Sequence, residues 1–86
     1  MHEHSLMKNL MEKIEQIASE QSAERVVGVK VWLGALSHMS PGHFAEHFED
    51  ASAGTLAEGA HITCESSDDI NDPGAQDIRL LSLDIE

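Results

Sequence analysis

Residues Val26 to Leu33 read Val-Val-Gly-Val-Lys-Val-Trp-Leu, and this run constrains the fold more than any other part of the chain. It alternates with period two, is rich in β-branched residues and stops at Gly34, so it reads as a strand. Val27, Val29, Val31 and Leu33 are expected to face a core. Val26, Gly28, Lys30 and Trp32 occupy the other face, where Lys30 implies contact with water. A strand of this kind needs partners on its edges and a layer over its apolar face.

The segments on either side supply that layer. From Ser5 to about Gln21, Leu6, Leu10, Ile14 and Ile17 recur at helical spacing, with Met7, Met11 and Ala18 widening the stripe. Ser5 is expected to be its N-cap. After the strand, Ser40-Pro41 has the form of an N-cap followed by a first-turn proline. Phe44, Phe48 and Ala51 then form an inner stripe, and Gly54 marks the helix end. A short strand is expected from His61 to Glu65, with Ile62 and Cys64 inward. Residues 66–77 form a polar linker broken at Pro73-Gly74. A last strand runs from Ile78 to Ile85, with Leu81, Leu83 and Ile85 on one face and Ile78 and Leu80 on the other. Strand–helix–strand units cross over right-handed and parallel. The last two strands are most simply antiparallel neighbours. The expected fold is α+β: one domain over residues 1–86, a three-stranded mixed sheet with both helices on one face.

Composition excludes several functions. Eighty-six residues, 41% hydrophobic with one Trp and two Phe, support one modest aliphatic core. Five basic against sixteen acidic residues give a net charge of −11, wrong for nucleic acid or an anionic membrane surface. No apolar run approaches a membrane span, and the N-terminus lacks the form of a signal peptide, so the expected compartment is the cytoplasm. There is no GxxxxGK[ST] phosphate loop and no nucleophile elbow, and an enzyme is not expected. The single cysteine, Cys64, rules out an internal disulfide and any four-cysteine zinc site within these residues.

What remains is nitrogen chemistry. The chain starts Met1-His2-Glu3-His4. An α-amine, a backbone amide and an imidazole within two residues can close a near-planar chelate, which suits Ni(II) or Cu(II) better than Zn(II). Methionine aminopeptidases generally need a small second residue, so His2 should leave Met1 in place. His4 can add a ligand or flank the site. His43 and His47 stand at i, i+4 on the second helix, where they can share a metal with Glu46 as a third ligand or a supporting partner. The alternative is a polar helix face. His38 and His61 stand alone, and Cys64 reads as a packing residue. Asp68, Asp69 and Asp72 fail the calcium-loop pattern because Ile70 and Pro73 occupy ligand spacings. Trp32 either covers the open sheet face or meets a partner.

Several motifs together are specific: MHEHSLM at the start, Leu33-Gly34-Ala35-Leu36-Ser37 at the strand end, Pro41, Phe48-Glu49, and Gly54-Thr55-Leu56-Ala57-Glu58-Gly59-Ala60. In these the chain resembles the HypA/HybF family of hydrogenase nickel-incorporation proteins, from Met1 to about Glu65 and again in the final strand. The resemblance implies a nickel metallochaperone holding Ni(II) through Met1, His2 and Glu3. It also implies action with a HypB-type GTPase on a [NiFe] hydrogenase large subunit, or on urease. Family members insert a zinc domain with two CxxC pairs between the last two strands. This chain has only residues 66–77 there, so no structural zinc is expected. A protein-interaction module that has lost metal delivery, and zinc or copper buffering by His43 and His47, are the competing readings. The expected state is a monomer or weak homodimer.

Overall fold

The computed structural model describes residues 2–37 and 39–86, and for residues 2–5 the backbone course alone. The element order is α1 (His2–Glu20), β1 (Val26–Leu33), α2 (Pro41–Ser52), β2 (His61–Ser66) and β3 (Ile78–Ile85). The three strands form one mixed sheet in the order β2-β1-β3. β1 pairs parallel with β2 and antiparallel with β3. The α+β class and the mixed three-stranded sheet expected from the sequence are therefore present.

The last two strands are not neighbours, contrary to the sequence reading. Both pair with β1, which lies at the centre. The most apolar strand takes the position where both edges are bonded and one face is fully covered. Val26, Val29, Val31 and Leu33 are buried there against Met7, Leu10, Met11, Ile14 and Ala18 of α1 and Phe44 and Phe48 of α2.

Two irregularities in the β1–β3 ladder change which side chains face inward. Val26 pairs with Ile85 and Gly28 with Asp84, so Val27 is an extra residue on β1. Lys30 pairs with Ser82 and Val31 with Leu80, so Leu81 is an extra residue on β3. A bulge places two consecutive residues opposite one and shifts the alternation by one. Val27 is accordingly 36% exposed while Val26 is fully buried. On β3, Ile78, Leu80 and Leu83 pack together against the core, and Leu81 turns out to 44% exposure. Ile85 is 40% exposed at the strand end. The strict alternation expected for both strands fails at these two residues.

α1 starts at His2, so Ser5 lies within the helix and does not cap it. No Pro or Gly precedes Ser5 to stop the helix, and an acidic residue in the first turn suits the helix dipole. At the other end the Ala23 amide donates to the Ala18 carbonyl at 2.9 Å, around Ser22 at φ 54°. This is a Schellman closure with a non-glycine residue in the left-handed position. α2 begins as expected: Ser40 Oγ accepts from the His43 amide at 3.1 Å, and Pro41 follows. Its third inward residue is Ser52, not Ala51, because positions 44, 48 and 52 keep i, i+4 phase. Gly54, at φ 79°, follows the helix end in the left-handed region that favours glycine.

Both helices run antiparallel to β1. Leu6, Asn9 and Leu10 of α1 line a groove with Asp77 to Leu80, whereas Ile17 and Gln21 lie against Leu83 and Ile85. The last turn of α2 lies against His61 and Ile62 at the start of β2. The N-termini of α1 and α2 thus sit at the same end of the sheet, where β1 finishes. Residues 67–77 close that end. Ser67 N–H donates to the Leu33 carbonyl at 2.9 Å, Leu36 N–H to Ala75 at 2.7 Å and Gly34 N–H to Asp77 at 2.9 Å. Ala75 is buried beneath them.

A Cβ at Gly34 would overlap the Ala75 carbonyl oxygen, and neither backbone can move without breaking these bonds. Gly34→Ala is expected to destabilise the domain by about 1–3 kcal/mol in urea unfolding, as overpacking does. Its amide NMR shifts should change most in residues 67–77.

Candidate metal-handling end

The end of the sheet where β1 stops collects most of the residues singled out in the sequence. α1 brings the backbone of His2, Glu3 and His4 there in its first turn. Met1, the first ligand expected for nickel, lies outside the described residues, as does His38. An α-helix leaves the amide N–H groups of its first turn without intrahelical acceptors. The backbone nitrogens of His2 and Glu3 are therefore not committed to the helix ladder.

α2 positions His43 and His47. The Ser40 cap and Pro41 set the first turn, and burial of Phe44 and Phe48 holds the helix against the sheet. This turns positions 43 and 47 outward. The two imidazoles meet: Nε2 of His43 and Nε2 of His47 are 2.8 Å apart, with ring centroids at 4.5 Å and an interplanar angle of 49°. In the neutral pair one Nε2–H donates to the other's lone pair. Glu46, expected as a third ligand or supporting partner, does not join them. Among the described residues no three His, Cys, Asp or Glu side chains gather as a metal site. Position 46 stands three residues after His43, within side-chain reach of it, but its carboxylate is not gathered with the two rings.

His61 is exposed at the start of β2, beside the last turn of α2 and so at the opposite end of the sheet. It stays apart from His43 and His47. Cys64 is half-buried with Ile62 against the core, as expected, and burial pushes its thiol up from its ordinary value. In the 67–77 loop Asp69 and Asp72 serve turns, and Asp77 pairs with Arg79 at 3.8 Å. Asp69 Oδ1 accepts from Asn71 N–H at 3.0 Å, and Asp72 Oδ1 accepts from Gly74 N–H at 2.7 Å. They still place negative charge at this end, which favours approach of cations.

Trp32 lies on the outer sheet face, where Arg79 stacks over it at 4.8 Å from the ring centroid. Lys30 and Glu65 pair alongside at 3.8 Å. Sequence reasoning placed Trp32 on this face but missed Arg79, because the pairing depends on the β1–β3 register.

Fold and site together define a small two-layer domain that carries the first-turn amides of α1 and the His43–His47 pair at one end of its sheet. Comparison with known proteins makes this particular. The family model described as "Hydrogenase/urease nickel incorporation, metallochaperone, hypA" matches residues 1–70. The chain belongs to this HypA family. It is 38% identical over 65 residues to a hydrogenase maturation factor HypA of Nitrosospira multiformis, covering 76% of this chain and 56% of that protein. Against HypA of Escherichia coli K12 it is 35% identical over 68 residues, covering 79% of this chain and 59% of that one. The matched region thus spans a little over half the length of these relatives. The fold matches a solution structure of the Ni metallochaperone HypA from Helicobacter pylori, with a TM-score of 0.78 at 22% identity, over 99% of this chain and 97% of that chain. Among the described residues no helix is long and apolar enough to cross a membrane.

Two measurements test the local architecture. Ser40→Ala removes the side-chain acceptor of the His43 amide and is expected to cost about 1 kcal/mol in urea unfolding, with increased amide exchange in the first turn of α2. The thiolate is the reactive form of cysteine. A raised Cys64 pKa leaves less of it at neutral pH, so iodoacetamide should modify Cys64 more slowly in the folded protein than in urea at the same pH.

Proposed function

We propose that this protein is a nickel metallochaperone whose metal is held at the N-terminal Met1-His2-Glu3 tip. The observation that carries this reading is the match of the nickel-incorporation family model from residue 1, across the tip and the domain that bears it. The donors are the Met1 amine, the His2 amide nitrogen and imidazole, and Glu3 through its carboxylate or amide. His4 flanks them. Four such donors favour the planar coordination of Ni(II).

The position of the tip at the start of α1 supports this chemistry. Metal binding through an amide nitrogen requires loss of its proton, and in a helix interior that would break a ladder bond. In the first turn there is no such bond to lose. A chain end also allows ligand exchange, which a carrier needs in order to release its cargo. The amine, imidazole and amide must all be deprotonated to ligate, so affinity rises with pH.

In this reading residues 1–86 act as a single HypA-like nickel-binding domain, with the short closed loop standing where relatives carry a zinc module. The partners are a HypB-type GTPase and the large subunit of a nickel enzyme, hydrogenase or urease, as the family's role implies. The competing reading is a protein-interaction module on the same fold that does not depend on metal.

Ni(II) titration by calorimetry and absorbance, on protein with its native N-terminus, separates the two. One equivalent should bind with the absorption of a planar nitrogen-rich complex. His2→Ala, or extension of the N-terminus by a few residues, should weaken that binding at least tenfold. Unchanged affinity in both variants would rule out the tip as the site and favour the interaction module.

A further inference from the structure

The His43–His47 pair is not used by the N-terminal chelate, and its geometry has its own meaning. Two Nε2 atoms bound cis to one metal, each about 2.0 Å from it at about 90°, stand about 2.8 Å apart; a tetrahedral centre with the same bond length needs about 3.3 Å. The hydrogen bond of the metal-free pair already holds the two atoms 2.8 Å apart, so the cis arrangement needs little change in their separation. We propose that His43 and His47 form a second metal site, a cis-dinitrogen chelate for a divalent first-row transition ion of planar or octahedral preference, Ni(II) or Cu(II) over Zn(II).

Three features build the site. The capped first turn of α2 and the burial of Phe44 and Phe48 fix the helix, so the two imidazoles are held at neighbouring positions before any metal arrives. His43 is exposed and His47 half-buried, and water can complete the coordination from the open side. For metal to enter, the donor ring changes tautomer, its proton passing through solvent from Nε2 to Nδ1, so that both Nε2 lone pairs face the ion.

The placement also gives the site a neighbour. His43, His47 and Ala51 follow i, i+4 spacing on one stripe of α2, and Ala51 shares a groove with Met7, Lys8, Met11 and Glu15 of α1. The helices run in the same direction. His43 lies two turns, about 12 Å, before Ala51, and the same distance along α1 from Met11 reaches Glu3. The pair therefore stands alongside the first two turns of α1, at the end of the domain that carries the N-terminal tip. His61, at the other end, is excluded from it.

The test uses the whole chain with an N-terminal extension of a few residues, which disables the free-amine chelate and keeps this site separate from the function proposed above. Ni(II), Cu(II) and Zn(II) chlorides are the probes, followed by calorimetry and by paramagnetic broadening of histidine ring protons in NMR. One equivalent of Cu(II) should bind, with Ni(II) weaker and Zn(II) weaker still, and broadening should appear first at His43 and His47. His43→Ala and His47→Ala should each weaken Cu(II) binding at least tenfold. His47→Ala combined with Asp50→His keeps the histidine count but parts the pair by two turns, and should bind as weakly as His47→Ala alone. Less than a twofold loss in the single variants, or full recovery in the double variant, would overturn the proposal. So would broadening led by His61. Should a variant fail to fold by circular dichroism, broadening in the unsubstituted chain decides the matter.

Discussion

Burial of the central strand is the constraint on which the rest of this structure depends. Val26, Val29, Val31 and Leu33 present one apolar face, and a domain of this size has few other large side chains with which to build a core. Covering that face requires both helices, and bonding both edges requires β2 and β3. A buried aliphatic or aromatic side chain contributes roughly 1.5–3 kcal/mol, so Phe44, Phe48, Ile14 and these four residues carry much of the stabilisation. Each later feature follows. The helices must run antiparallel to β1 to lie flat on it, which brings their N-termini to one end. The residues proposed to handle metal sit at that end because the packing leaves helix starts there.

The same arrangement explains how a small domain can be rigid and yet offer exchangeable ligands. The sheet and the 67–77 loop are tied by backbone hydrogen bonds around Leu33, Gly34 and Leu36, and burial of Phe44 and Phe48 holds α2 to the core. The proposed donors lie at the margin of this framework: a helix's first turn, whose amides lack intrahelical partners, and an outward stripe of α2. Neither belongs to the core, so a ligand can be gained or lost there without disturbing Phe44 or Phe48. The loop that closes this end contributes negative charge, while Asp69 and Asp72 remain engaged in turns.

Much of this could be read from the residues. Ser40-Pro41 and Gly54 marked the ends of α2 because capping and left-handed geometry depend on adjacent residues alone. The apolar stripe of α1, the inward Ile62 and Cys64, and the i, i+4 placement of His43 and His47 were legible for the same reason. The errors have one cause in common. Val27 and Leu81 are apolar residues in alternating runs, and nothing local marks them as bulges. The bulges exist because β1 and β3 must match twist and length with each other. The order β2-β1-β3 was missed because chain adjacency suggested that β2 and β3 pair, whereas the competition for the central position is decided by which strand has most to bury. Ala51 gave way to Ser52 because the stripe of α2 is set by the sheet it covers, not by side-chain polarity.

By itself the sequence determined the number and kind of elements, the caps of α2, the family likeness and the residue types available for nitrogen ligation. These depend on local backbone preferences and on short-range spacing, which one chain segment specifies alone. Only the tertiary structure decided that β1 is central, that two bulges invert the faces, that Arg79 covers Trp32, and that the His43–His47 pair stands beside the start of α1 while His61 lies at the far end. Those outcomes depend on distances between segments far apart in the chain, and such distances are set by how apolar faces fit together once every segment competes for the same small core.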